Sequence, residues 1–304
     1  MMAFDFYNSP FTLILRNFKI QERNTLSMDI YRISSIGRPL DPGYPTNRLM
    51  IRISAIVLVA ASLFHLSLNN TISISIIYGI TAGISVFLVW AISREIDPDH
   101  EIAAFVPVIL SFIPVILFGI HPVLPLLWLL LLLRIVDRST GLKAGIFDTI
   151  AVFLLSVFLT YQMTWMFGIL AATAFFIDSR ASSPNKVHLI ASILMLAASI
   201  FSISIVNNTA IADISLMETT ALLSMAILFI PSILDSRKLK SKGDMTGESL
   251  DTLRVKMGKI LFLITAILFL LIDIEYAHLW PLLWCVAAGI GLYRILIGDR
   301  PVEL

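Results

Sequence analysis

Ser93-Arg94-Glu95-Ile96-Asp97-Pro98-Asp99-His100-Glu101 is the most polar run between Arg52 and Asp235. The chain on either side of it is almost continuously apolar. Weaker echoes follow where later apolar segments end: Arg134-Ile-Val-Asp137-Arg138, Asp178-Ser-Arg180, Asp235-Ser-Arg237 and Asp299-Arg300. A charged run that recurs at the ends of alternate apolar segments marks one face of a membrane, with the segments between as transmembrane helices. The expected fold class is therefore all-α, a polytopic membrane bundle of antiparallel hairpins.

Composition points the same way. Of 304 residues, 58% are hydrophobic and only 14% charged, where a soluble domain carries about a quarter charged. A single globular core of this size cannot hide so much apolar surface. The net charge of +1 says little, because the signal lies in how charge is distributed. No basic stripe interleaved with aromatics appears, which argues against nucleic acid as a partner. The single cysteine, Cys285, excludes an intrachain disulfide and reads as a small packing residue.

A spanning helix needs about 20 apolar residues, within a range of about 17–25. Ten segments qualify or nearly so: 49–68, 72–93, 102–119, 121–136, 145–161, 163–178, 187–206, 214–234, 258–277 and 280–298. The fourth reaches full length only if Arg134 extends its guanidinium to the surface. The turns around Asn69, Gly119, Gln162, Asn207 and His278 contain no Lys or Arg, so all 22 basic residues fall on the opposite side. The positive-inside rule makes that side cytoplasmic and places both termini there. Residues 1–47 form a cytoplasmic segment, read either as a poorly ordered tail or as a surface helix over Phe11–Ile20. The transmembrane domain covers 48–299 with a cytoplasmic loop at 235–257, and 300–304 form a short tail. No basic residue precedes Arg16 and no cleavage site follows an apolar core, so a signal peptide is not expected. In the long loop, Leu250, Leu253 and Met257 have the spacing of a short amphipathic helix lying on lipid headgroups.

Within the bundle, Gly79-x-x-x-Gly83 permits close approach of a second helix. Pro107 and Pro114 lie seven apart on one face of the third segment, which makes it a candidate kinked or moving helix.

Two constellations carry chemistry. The first gathers Arg94, Glu95, Asp97, Asp99, His100 and Glu101 with Arg134, Asp137, Arg138, Asp178 and Arg180 at the cytoplasmic helix ends. Read structurally, these are ion pairs that fix helix ends. Read functionally, Asp97, Asp99 and Asp137 hold Mg²⁺ through carboxylate oxygens, and the arginines clamp a phosphate. The second lies in the ninth segment, where Asp273, Glu275 and His278 sit toward the external side with no Lys or Arg to neutralise them. Carboxylates in hydrocarbon face a bundle interior or a wet cavity, which suits proton coupling. The alternative is solvation at the interface. Asp148 is expected to pair with Lys143 or a nearby Arg. No Walker loop, nucleophile elbow or zinc motif is present.

The Asp-rich helix ends are similar in general plan to those of UbiA-type membrane prenyltransferases, but the paired Asn/Asp motifs of that family are missing. Ten helices with both ends inside also resembles the drug/metabolite transporter superfamily, in size and topology only. The expected function is a small-molecule carrier or exporter in the cell membrane, with proton coupling as one form it can take. An intramembrane Mg²⁺-dependent enzyme acting on a lipid or prenyl phosphate and a non-catalytic scaffold subunit are the alternatives.

Overall fold

The computed structural model describes residues 34–117, 123–205, 215–235, 239–271 and 280–298. These residues form α1 (Pro45–Ser67), α2 (Ile72–Ile96), a 3₁₀ turn (Glu101–Ala104), α3 (Phe105–Leu117), α4 (Val123–Asp137), α5 (Ile146–Gln162), α6 (Met166–Arg180), α7 (Lys186–Ile205), α8 (Leu216–Leu234), α9 (Thr252–Leu271) and α10 (Trp280–Ile297). No β-strand occurs among them beyond one isolated bridge, Lys242 to Ser249. Four helices, α1, α2, α7 and α8, are long and apolar enough to cross a membrane by length and composition, and shorter apolar helices accompany them. This is an all-helical membrane protein.

Local chemistry sets the helix boundaries. Pro45 opens α1, where a missing backbone donor costs nothing. Asn69 closes the turn after α1 in the left-handed region, at φ 64°. Ser215 and Glu218 form a capping box at the start of α8. Asp251 caps α9, accepting from the backbone N–H of Leu253 through its carboxylate (2.8 Å) and from that of Val255 through its carbonyl. The sequence reading therefore misplaced this boundary. Leu253 and Met257 belong to the first turns of α9, and Leu250 is buried.

Packing sorts the helices into inner and outer sets. α4 and α6 are buried along most of their length, as is the C-terminal half of α2. Trp128, Phe167 and Phe269 join α4, α6 and α9 through edge-to-face contacts at 4.9 and 5.4 Å. The outer helices α1, α7 and α8 turn large apolar side chains outward, including Ile56 (67% exposed), Ile190 (63%) and Ile227 (69%). Apolar surface on that scale is at home in lipid, where backbone polar groups are already satisfied within the helices.

The Gly79/Gly83 pair packs as expected. A Cβ at Gly79 would lie 2.4 Å from the Leu58 carbonyl, and one at Gly83 would lie 2.9 Å from that of Ser54, so α1 and α2 touch backbone to backbone. The two prolines of α3 differ in effect. Pro107 occupies the first turn, and only Pro114 interrupts the helix interior. The Tyr78 hydroxyl donates to the carbonyls of Val115 and Ile116 just beyond it (3.0 and 2.7 Å).

The chain before α1 is more than a linker. Ile36 is buried in the core, and the Thr140 hydroxyl donates to the Ser35 carbonyl at 2.7 Å. Residues 34–38 thus lie as a strap across the ends of α4 and α5.

Candidate functional site

The charged face is built where α2, α4, α6, α8 and α10 end and α9 begins. Three buried carboxylates organise it. Each draws its partners from different hairpins.

Glu95, on the last turn of α2, is almost wholly buried. It accepts from Arg134 Nε on α4 (3.0 Å) and Arg38 Nη1 on the strap (3.2 Å). Arg38 continues the chain to Asp244 in the loop before α9, through two bonds of 2.6 and 2.9 Å. Fork-to-carboxylate pairing of this kind fixes geometry as well as charge.

Asp178, at the end of α6, is fully buried. Arg138 approaches at 2.7 Å, Arg254 at 2.7 Å and His188 Nδ1 at 2.8 Å. The Nε2 of His188 pairs with the Thr149 hydroxyl (2.9 Å). Arg254 also donates to the carbonyls of Val136 and Ser182, so it joins α9 to α4 and to the turn after α6.

Asp97 follows α2. One carboxyl oxygen, Oδ1, takes His100 Nδ1 at 3.0 Å and Arg294 Nη2 at 3.4 Å, and Arg294 reaches Asp235 at 3.1 Å. Burial acts to raise the Asp97 pKa. The His100 hydrogen bond and the Arg294 and Lys259 charges outweigh it and hold the carboxyl below its ordinary value. The hydrogen bond to Asp97 in turn pushes the His100 imidazole above its ordinary value, against a smaller opposing effect of burial.

The remaining sequence candidates play lesser or different parts. Asp99 caps loop backbone, accepting from the N–H groups of Lys240 and Ser241 and from the Ser241 hydroxyl. Arg94 pairs with the half-exposed Glu101 (2.9 Å) and lies over Trp90. Arg180 is exposed and covers the Phe176 ring, so it is not the counter-charge of Asp178. Asp137 is buried with neither carboxyl oxygen hydrogen-bonded among the described residues, in a space kept open by Gly258. Asp148 does not pair with Lys143; it accepts from Ser34 and Ser35 at 2.6–2.8 Å. Asp273, Glu275 and His278 lie outside the described residues.

The Mg²⁺ cradle of Asp97, Asp99 and Asp137 is not assembled. Each carboxylate has its own surroundings, and among the described residues no group of three or more His, Cys, Asp or Glu is placed to hold a metal ion. Of the three, only Asp97 is met by a protein cation, Arg294, while Asp99 is taken up by loop N–H groups. Sequence reasoning missed Arg38, His188, Arg254, Lys259 and Arg294. Lys259 and Arg294 carried a usable signal, as charges inside the apolar segments 258–277 and 280–298.

A cavity of about 130 Å³ opens beside Asp97, between the end of α8, the start of α9 and Arg294 of α10. Lys259 lines it, 5% exposed, with one hydrogen bond among the described residues, to the Ser232 carbonyl at 2.9 Å.

No family model, curated protein or solved structure matches the chain.

Proposed function

We propose that the protein is a small-molecule carrier of the cell membrane, with ten spans and both termini cytoplasmic, and that the charged face is its cytoplasmic gate. One observation carries this reading. The ion pairs at that face join separate hairpins to one another, from Glu95 to Arg134, from Asp178 to Arg254 and from Asp97 to Arg294. Bonds within a hairpin would only stiffen it. Bonds between hairpins hold one end of the bundle shut, and breaking them lets the ends part while the apolar packing survives. Alternating access needs a barrier of this kind. The proton-handling candidates are Asp273, Glu275 and His278, toward the opposite end.

Proteoliposomes enclosing a pH-reporting dye test the reading. A panel of small organic anions, cations and neutral solutes is added from outside. A solute-dependent proton signal is expected, lost in Glu275→Gln at unchanged expression. Silence across the panel, with Glu275→Gln and Asp97→Asn both as stable as the parent, would instead indicate a non-catalytic scaffold subunit.

A further inference from the structure

The charged face supplies cations to Glu95, Asp97 and Asp178 and withholds them from Asp137. That residue ends α4 and is 2% exposed, and both its carboxyl oxygens are closed to solvent without a hydrogen-bond partner among the described residues. The cations around it are engaged elsewhere. On its own helix, Arg134 is bound to Glu95 and Arg138 to Asp178. From α9, Arg254 is taken by Asp178 and by the carbonyls of Val136 and Ser182, and Lys259 by the Ser232 carbonyl. Arg38 of the strap is shared by Glu95 and Asp244. The other elements packed against α4 carry acids at this end. α2 brings Glu95, whose Oε2 is likewise buried without a partner among the described residues, α6 ends in Asp178 and α5 begins with Asp148. Arg94 and Arg180, on α2 and α6, lie against Glu101 and the Phe176 ring instead.

The contact with α9 closes the site. A Cβ on Gly258 would fall 2.7 Å from Asp137 Oδ2, so the carboxyl is packed against the backbone of α9. An ionised carboxylate there has no water, hydrogen bond or contacting cation to stabilise it. The Glu95 charge repels it, and Lys259 and Arg254 attract it only from a distance. Charge so placed is expensive, and a carboxyl avoids that cost by keeping its proton.

We infer that Asp137 is a proton-binding site, neutral at physiological pH while α4 and α9 are packed together and releasing its proton to water when they part. On release the O–H bond breaks, the electron pair stays on the carboxylate, and water takes the proton. The release step rests on the reading of this face as a gate; the bound proton does not. The site is distinct from the candidates Asp273, Glu275 and His278.

The test uses the purified full chain in detergent, with infrared spectra and unfolding followed over one pH series. Near pH 7 the parent is expected to show a protonated-carboxyl C=O band that Asp137→Asn lacks. A proton bound in the folded chain and absent from the unfolded one, where Asp titrates at 3.8, makes stability fall as pH rises. Between about pH 5 and 7 the ratio of the parent's unfolding constant to that of Asp137→Asn is therefore expected to climb about tenfold per pH unit. Gly258→Ala drives a methyl group into the carboxyl and wedges the two helices apart without changing charge. The band specific to Asp137 is expected to titrate at least about one pH unit lower there, a tenfold loss of proton affinity. Identical spectra for the parent and Asp137→Asn near pH 7, or a ratio flat with pH, overturns the proton site. A band whose titration is unmoved in Gly258→Ala overturns release on parting. No transported solute enters these measurements, so failure of the carrier reading is recorded separately.

Discussion

Asp178 and Asp137 end neighbouring inner helices, and both are buried, yet their circumstances are opposite. Asp178 is met by two arginines and a histidine. Replacing it with Ala strands those cations in a site closed to water, and the expected cost is about 3–5 kcal/mol, read as a large fall in the unfolding midpoint in detergent. Among the described residues Asp137 has no hydrogen bond to lose. Asp137→Asn is expected to leave the midpoint unchanged or raise it. The Asp97–His100 pair sets a pH dependence. His100 titrates above its ordinary 6.5, so its contribution is complete below that value and is lost as pH rises through the folded pKa. Asp97 titrates below its ordinary 3.8, so its contribution is complete above that value and is lost as pH falls through the lowered pKa. Stability from this pair is greatest between 3.8 and 6.5, with an alkaline decline that His100→Asn removes in a pH series of unfolding midpoints. Millimolar Mg²⁺ is expected to leave the midpoint where it is. A shift that vanished in Asp97→Asn would restore the reading as a lipid-phosphate enzyme. The carboxylates of this face were legible in the sequence, since charge interrupting an apolar chain is conspicuous. Their partners were not. Asp178 and Arg254 stand 76 residues apart and Asp97 and Arg294 stand 197 apart, and nothing local encodes such pairings.

At the scale of helices, glycine spacing was readable because it acts locally. Gly79 sits against the Leu58 carbonyl, and backbone cannot step aside as a side chain can. Gly79→Ala is expected to destabilise by about 1–3 kcal/mol, the usual cost of overfilling a tight contact, again by unfolding in detergent. The proline pair was readable as a pair but not in its effect. Which residue interrupts a helix depends on where that helix begins, and the 3₁₀ turn at Glu101–Ala104 moves the start of α3 to Phe105. The start of α9 was hidden for a related reason. Lys256 reads as a loop charge, yet it lies within the helix together with Lys259, which is buried.

For the molecule as a whole, apolar length announced the helices and the placement of basic residues suggested their orientation. Reporter fusions test that orientation directly. A reporter active only outside the cytoplasm is expected to stay silent at residue 304 and within 239–250, and to be active in the turn at Asn69; activity at the C-terminus would invert the assignment. The strap at residues 34–38 and its links to Asp148 and Asp244 could not be foreseen. They depend on how the helix ends converge, which no single segment contains.

The long reach of those links also has a meaning in time. Asp97 leaves the ribosome 197 residues ahead of Arg294, and Arg38 leaves 206 ahead of Asp244. Throughout synthesis the growing protein carries unmatched charges at the ends of greasy helices. Any chain that stops short of Arg294 keeps Asp97 without that partner. The Asp97–Arg294 link is thus closed only when the last helix docks.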